Sequence, residues 1–254
     1  MRLLREEVKH VRKAGFFIFA ALFILLLVLC PPWAKGASAI YLPLAFFSIA
    51  LFLSSGQYGL TSGLDYLRLV PEKGRLPWLF SWGILALVSM GALTLFLSGI
   101  MFALGMLDTA PVKAKILSLP LFALISSFTL APLGEEVFFR GFLFRKLGSP
   151  AYKGAGNAKN AGSSSARQQA SLRSVSFPGS SWIFSALISS LFFALLHFAY
   201  GSVAEVIVAF SIGLLLCAFT YHTRSLIPAV IAHAGFNFFS VGLGVLCANF
   251  GCPF

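Results

Sequence analysis

Long apolar runs separated by short polar breaks dominate the pattern of this 254-residue chain. Runs of this length and composition are typical of helices that cross a lipid bilayer. We therefore predict transmembrane helices over the segments 16–30, 40–55, 76–107, 116–147, 182–200, 203–221 and 226–246. A signal peptide is the alternative for the first segment, since basic residues precede it and Ala37-Ser38-Ala39 follows it. The predicted fold class is all-α, a polytopic membrane helix bundle of about seven transmembrane helices.

The composition agrees with a membrane protein and differs from that of soluble globular domains. Hydrophobic residues make up 58% of the chain and charged residues 11%, against about 45–50% and about 25% in soluble domains. The net charge of +11 does not indicate nucleic-acid binding, because no soluble basic fold remains to carry it. The chain is predicted to be integral to the membrane, and the composition does not define an oligomeric state.

Lys and Arg residues are distributed unevenly between the loops. The segments 1–15, 56–77 and 140–181 carry 5, 3 and 7 of them, whereas 31–39 and 108–115 carry 1 and 2. Alternation through the spans places the three basic-rich segments on one side, which the positive-inside rule makes the cytoplasmic side. We therefore predict a cytoplasmic N-terminus and an extracytoplasmic C-terminus. At such an end the neighbouring Cys247 and Cys252 have the conditions for a disulfide.

Residues 148–181 differ in character from the rest of the chain. They are rich in Gly, Ser and Ala, with several basic residues and no apolar periodicity. Such a segment does not form a core, and it predicts a flexible cytoplasmic loop. We divide the chain into an N-terminal cytoplasmic segment with three transmembrane helices at 1–113, a core at 114–248 that the loop 148–181 interrupts, and a C-terminal tail at 249–254.

Two adjacent carboxylates and a guanidinium stand in the fourth predicted span, at Glu135, Glu136 and Arg140. A charge at the centre of a bilayer costs about 2.5–3.5 kcal/mol on insertion scales, so such residues indicate a functional site or a structural ion pair. Glu136 and Arg140 are four residues apart and share a helix face, where they can pair. Glu135 lies about 100° further round the helix and is expected to face a different partner.

Two further spans carry polar side chains at helical spacing. His197 follows Phe193 by four residues, and His233 precedes Asn237 by four, so each pair lies on one helix face. Polar groups in membrane spans usually point into the bundle. The simplest arrangement brings together Glu135, His197, His233 and Asn237.

The predicted span boundaries do not place these residues at equal depth. Counting about 1.5 Å per residue from the cytoplasmic ends puts Glu135 at about 18 Å, His197 at about 23 Å and His233 at about 11 Å. If the groups meet, helix tilt or different boundaries must account for the difference.

One carboxylate, two imidazoles and one carboxamide in a low-dielectric cavity suit the hydrolysis of a peptide bond. A carboxylate beside a neutral histidine can hold and deprotonate a water molecule, and desolvation raises the pKa of the carboxylate towards neutral. A second histidine with an asparagine can donate hydrogen bonds to an oxyanion as it forms. This chemistry needs no serine or cysteine nucleophile.

Other interpretations of the same residues remain open. Each buried histidine can instead form a structural helix–helix hydrogen bond worth about 1 kcal/mol. Two histidines and a glutamate are also a familiar set of zinc ligands, here Glu135, His197 and His233, although the H-E-x-x-H spacing is absent. A proton- or ion-coupled transporter also uses buried Glu and His, but the chain has no evident inverted repeat. Glu205 and His222 lie at predicted span ends and are interpreted as interfacial.

Three motifs follow one another on successive helices: Glu135-Glu136-x-x-x-Arg140, Phe193-x-x-x-His197 and His233-x-x-x-Asn237. In this order they resemble the CPBP family, also called Abi, which groups CAAX prenyl proteases of the Ras-converting type with bacteriocin-processing and immunity proteins. The hairpin at 223–226 is also similar to this family. The resemblance covers about residues 114–248 and identifies this part as a CPBP-like catalytic core.

The resemblance implies an intramembrane endopeptidase of the glutamic type. By this resemblance Glu135 would activate water together with His197, and His233 would form the oxyanion hole with Asn237. Structural support of the site would come from Glu136, Arg140 and Phe193. The implied substrate is a peptide or protein tail, with prenylated CAAX-type tails as one class, and no cofactor is expected, zinc being the alternative. Some relatives are thought to be non-enzymatic binding, immunity or scaffold proteins, which is the alternative function.

Overall fold

A computed structural model describes residues 36–58, 64–71, 74–148 and 181–250. The described part of the chain is helical and contains no strand, as predicted. Three predictions lie outside the described residues, namely the first span at 16–30, the loop 148–181 beyond its first and last residue, and the tail beyond residue 250.

The helices are numbered in chain order. They are α1 (Ser38–Tyr58), α2 (Leu76–Ala103), α3 (Ala110–Leu117), α4 (Leu121–Phe128), α5 (Leu130–Glu136), α6 (Phe144–Gly148), α7 (Ser181–His197), α8 (Val203–Thr223) and α9 (Ile227–Phe250). A π-helix at Val137–Leu143 joins α5 directly to α6. A short 3₁₀ turn at Phe198–Tyr200 extends α7.

Four helices of the described part are long and apolar enough to cross a membrane. They are Leu76–Ala103, Ser181–Tyr200, Val203–Thr223 and Ile227–Cys247. These match the third, fifth, sixth and seventh predicted spans, although the third ends at Ala103 rather than near residue 107. The second predicted span lies in α1, whose apolar stretch, Ser38–Ser54, is shorter than the four spans. The described part of the chain is a membrane helix bundle with four such spans, or five if α3 and α4 count as one, so the number seven is not confirmed.

The prediction of one continuous helix over 116–147 is wrong. Helices α3 and α4 are bent by 119° to each other, and the extended backbone of Pro120 precedes α4. A second break lies at Thr129, between α4 and α5. Proline explains both breaks, because it lacks an N–H and its ring clashes with the carbonyl four residues earlier, which for Pro132 belongs to Phe128. The Glu-Glu motif therefore lies at the end of a short helix.

Glycines permit the close packing that surrounds this motif. A side chain at Gly134 would collide with the backbone carbonyl of Pro43, so α1 and α5 meet backbone to backbone. Helix α9 packs against α2 in a similar way, where a Cβ on Gly235 would lie 2.9 Å from a side-chain carbon of Leu87. Helix α7 packs on α8, where Gly213 faces Ser190. These glycines thus let α5 pack closely on α1, α9 on α2 and α7 on α8.

Arginines tie the segment before α2 to the end of α8. Arg68 Nη1 donates to the carbonyl of Thr220 at 3.2 Å, and Arg75 Nη2 donates to that of Thr223 at 3.2 Å. Carbonyls at a helix C-terminus are free to accept such bonds and favour positive charge. Burial lowers the pKa of Arg68 to about 9, with a further contribution from the charges of Arg145 and Arg224. The hairpin between α8 and α9 is thereby held in place.

Two cysteines are described. Cys217 is a free, buried thiol in the core of α8, as its apolar surroundings predict. Cys247 is disulfide-bonded. Cys252, the residue considered above as its partner, lies outside the described residues, as does Cys30.

Candidate active site

The Glu-Glu motif provides a fully buried ion pair. Glu136 ends α5, and its Oε1 accepts from Nη1 of Arg140 at 3.0 Å. Both side chains are 0% exposed. This is the contact that their spacing predicts, although the chain between them turns as a π-helix rather than as the expected α-helix.

The π-helix accepts a hydrogen bond from another element. Its wider turn interrupts the α-helical hydrogen-bond pattern, and short π-helices frequently occur at functional sites. The hydroxyl of Ser189, on α7, donates to the carbonyl of Phe139 at 2.8 Å. Helix α7 therefore gives this carbonyl of the π-helix a second donor, beside the backbone N–H of Phe144.

His233 lies between the two carboxylates. Its Nδ1 is 2.8 Å from Oε1 of Glu136, and its Nε2 is 3.8 Å from Oε2 of Glu135. A carboxylate only accepts hydrogen bonds, so Nδ1 carries the proton in the shorter contact. The side chain of Glu135 is 19% exposed, against 0% for Glu136. Glu136 is therefore enclosed by two cationic or polar partners, and Glu135 is the accessible carboxylate.

His197 is oriented by its own helix. Its Nδ1 lies 3.0 Å from the carbonyl oxygen of Phe193. Because a carbonyl only accepts, Nδ1 donates this bond and Nε2 of the neutral ring is left as an acceptor. His197 forms no ion pair with a carboxylate of the described residues. The structure thus fixes the tautomer of His197 without a direct contact to Glu135.

Phe193 occupies the centre of the site. Its ring lies 4.7 Å from that of His197 and 5.7 Å from that of His233, centroid to centroid. The guanidinium carbon of Arg140 lies 4.3 Å from the same ring, a distance typical of a cation–π contact. One buried aromatic side chain therefore packs against both histidines and the arginine.

Asn237 is bound one turn further along α9. Its Nδ2 donates to the carbonyl of Ser127 at 2.8 Å, close to the end of α4. The structure therefore brings five predicted residues together by direct contact, namely Glu135, Glu136, Arg140, Phe193 and His233. Asn237 lies on the same helix as His233, four residues later in the sequence. Glu135 and His233 are in contact at 3.8 Å, so the depth difference counted from the predicted span ends does not arise between them.

The set considered for zinc, Glu135, His197 and His233, lies within the described residues. Within them no three side chains of His, Cys, Asp or Glu form a group that could hold a metal ion. The Nδ1 atoms of both histidines are already bound, to the carbonyl of Phe193 and to Glu136.

Sequence reasoning missed two contributors to this region. Ser189 lies on the same helix as His197, eight residues earlier, and only the fold shows that it reaches the π-helix. Tyr200 follows His197 by three residues, and its ring stacks on that of His197 with centroids 5.8 Å apart. The spacing of three residues on a helix is the signal by which Tyr200 could have been found.

A sequence model of the family described as type II CAAX prenyl endopeptidase, Rce1-like, matches residues 117–239. The match includes every residue of the site, from Glu135 to Asn237. Neither a comparison with curated proteins nor one with solved structures gives a match. The apolar helices and this match together indicate an integral membrane protein. Residues 117–239, a little under half of the chain, are therefore similar to the Rce1-like type II CAAX prenyl endopeptidases.

Proposed function

We propose that the protein is an intramembrane endopeptidase of the glutamic type, which hydrolyses a peptide bond in a protein or peptide tail. The observation that carries the proposal is the contact chain from Glu135 through His233 and Glu136 to Arg140 inside a domain of an endopeptidase family. Prenylated CAAX-type tails are the substrate class that the family suggests. The proposed orientation has a cytoplasmic N-terminus and an extracytoplasmic C-terminus.

The two carboxylates have different tasks in this proposal. Glu136 is already bound by Arg140 at 3.0 Å and by His233 at 2.8 Å, so it organises the site rather than reacting. Glu135 has a longer contact to His233, at 3.8 Å, and a partly exposed side chain. Glu135 is therefore the carboxylate that receives a proton from the attacking water, as a general base does.

His197 holds the same water in this proposal. Its Nδ1 is bound to the carbonyl of Phe193, which leaves the lone pair of Nε2 to accept a hydrogen bond from water. The water oxygen forms a bond to the carbonyl carbon of the scissile peptide while its proton passes to Glu135. The electron pair of the C=O bond moves to oxygen, and its return breaks the C–N bond as the proton passes from Glu135 to the leaving amine.

The developing oxyanion requires hydrogen-bond donors. Asn237 has two N–H groups and donates one to Ser127, so the other is the donor proposed for the oxyanion. His233 can contribute only when Nε2 carries a proton as well as Nδ1, because Nδ1 is bound to Glu136. No metal takes part in this mechanism as we propose it.

A cleavage assay tests the proposal. Purified protein in detergent is incubated with a quenched-fluorescence peptide library that includes prenylated CAAX-type members. Glu135→Gln is compared with Asp108→Asn, the same chemical change at an exposed carboxylate between α2 and α3. We expect cleavage by the wild type and by Asp108→Asn, with and without a strong zinc chelator, and none by Glu135→Gln.

Two results would overturn the proposed function. Cleavage that a chelator abolishes and zinc restores would make Glu135, His197 and His233 metal ligands. The alternative, a non-enzymatic binding or scaffold protein, would be favoured by two observations together. The purified wild-type protein would cleave no member of the library, and the phenotype of the cell would survive Glu135→Gln.

A further inference from the structure

Tyr200 lies at the edge of the site, on the 3₁₀ turn that follows His197. Its ring stacks on the imidazole of His197 at 5.8 Å and an interplanar angle of 29°. The turn ends at Gly201, whose φ of 75° is left-handed and suits glycine. The chain then enters α8 at Ser202, which accepts from the backbone N–H of Glu205. The position of Tyr200 is therefore set from both sides.

The charges of Glu135 and Glu205 both act on the hydroxyl of Tyr200, which therefore lies within electrostatic range of the general base proposed above. No hydrogen bond joins this hydroxyl to another residue of the part of the chain that the structure describes. A partly buried phenol normally finds a hydrogen-bond partner, and here the partner is not another described side chain.

The donors already assigned to the oxyanion are partly occupied. Both ring nitrogens of His233 lie near carboxylates, at 2.8 and 3.8 Å, and Asn237 donates one N–H to Ser127. Oxyanion sites generally supply two or more donors. Beside His197, Tyr200 offers an O–H that these contacts do not use.

We propose that Tyr200 is a further catalytic residue, whose hydroxyl donates a hydrogen bond to the oxygen of the scissile carbonyl as that oxygen becomes negative. The proton stays on Tyr200 throughout, so the step adds no transfer to the mechanism. This inference rests on the proposed peptidase function. A purely structural alternative exists, in which the ring of Tyr200 only positions His197 by stacking.

Tyr200→Phe separates the two roles, because it removes the hydroxyl and keeps the ring. Tyr221→Phe is the matched control. Tyr221 lies near the opposite end of α8, about 30 Å along the helix from Tyr200 at 1.5 Å per residue, and stacks on Trp182. Tyr200→Ala, which loses both ring and hydroxyl, reports on the positioning of His197.

The experiment measures kcat and KM of each variant on a peptide that the wild type cleaves. We expect Tyr200→Phe to lower kcat about 10²- to 10³-fold, the effect of removing one oxyanion donor, with KM within about twofold because the contact forms only in the transition state. Tyr221→Phe should retain both values. The thermal midpoint of Tyr200→Phe should equal that of the wild type.

Two results would overturn the inference while the proposed function stands. If Tyr200→Phe retains the wild-type kcat and Tyr200→Ala loses it, Tyr200 is a positioning residue. If Tyr200→Phe raises KM at unchanged kcat, the hydroxyl binds the ground-state substrate. A wild-type protein without any cleavage would overturn the proposed function, and this inference with it.

Discussion

His233 and Arg140 bind the same carboxylate oxygen, Oε1 of Glu136, at 2.8 and 3.0 Å. One residue comes from α9 and the other from the π-helix, so a single oxygen joins two parts of the chain that are 93 residues apart, at 140 and 233. Charge-assisted hydrogen bonds of this kind are about twice as strong as neutral ones. The buried carboxylate therefore determines how the accessible Glu135 and the ring of His233 face each other.

Glu136→Gln should destabilise the protein far more than Glu135→Gln. Loss of the Glu136 charge leaves Arg140 buried without its partner, and breaking a buried pair costs about 3–5 kcal/mol. Glu135 is partly exposed and its nearest contact is longer, so its amide should be tolerated. Thermal unfolding in detergent measures the difference, and both variants should lack peptidase activity. Equal thermal midpoints for the two variants would show that Glu136 is not the structural anchor.

Gly134→Ala should loosen the contact between α1 and α5. The added methyl group meets the backbone carbonyl of Pro43, which cannot rotate away, and overpacking typically costs about 1–3 kcal/mol. Gly91→Ala, in α2, is the control, because nothing lies within 4 Å of a Cβ there. Its free energy of unfolding should stay equal or rise by about 0.5–1 kcal/mol. The prediction fails if Gly134→Ala unfolds at the wild-type temperature.

Ser189→Ala should weaken the π-helix. The substitution removes one of the two donors of the Phe139 carbonyl, which keeps the N–H of Phe144, and the loss of one hydrogen bond costs about 0.5–1.5 kcal/mol. Arg140 belongs to the same π-helix, so kcat should fall together with stability. Ser89→Ala is the control, since Ser89 is only partly buried and its hydroxyl bonds the carbonyl of Leu85 in its own helix. Both variants are compared by thermal unfolding and by peptide cleavage. Equal losses of stability and of kcat in Ser189→Ala and Ser89→Ala would contradict the prediction.

Asn237→Ala should remove an oxyanion donor and a helix contact in one step. We expect kcat to fall about 10²- to 10³-fold and stability to fall by about 1–3 kcal/mol, because the carbonyl of Ser127 loses its donor. Leu243→Ala, at an exposed position of the same helix, should leave kcat unchanged. Wild-type kcat in Asn237→Ala would show that its second N–H does not reach the oxyanion.

Hydropathy and helical spacing were sufficient for the long spans and for several contacts of the site. The pairing of Glu136 with Arg140 depends on residues four apart, and the helices from Ser181 to Cys247 are continuous apolar runs. Each of these features is local in sequence, so one segment contains all the information that specifies it.

The features that sequence reasoning missed depend on proline chemistry or on distant segments. Pro120 and Pro132 stand at the two breaks of the fourth predicted span, but uniform hydropathy across them favoured a single helix. The bond from Ser189 to the π-helix needs α7 to pack beside it. The expectation that His233 approaches Glu135 did not include the bond of His233 to Glu136, which needs α9 to pack beside α5.

The break between α4 and α5 leaves carbonyl groups without helical partners in an apolar protein. Side chains supply the donors: Ser127 to Leu124, Thr129 to Ile125 and Asn237 to Ser127. At membrane depth, interrupted backbone persists only where protein encloses it or where water reaches it. A hydrolase consumes one water molecule per turnover, and lipid supplies none. The interrupted helix thus places polar main-chain groups in the segment that precedes Glu135, where water can be bound without an additional charged side chain.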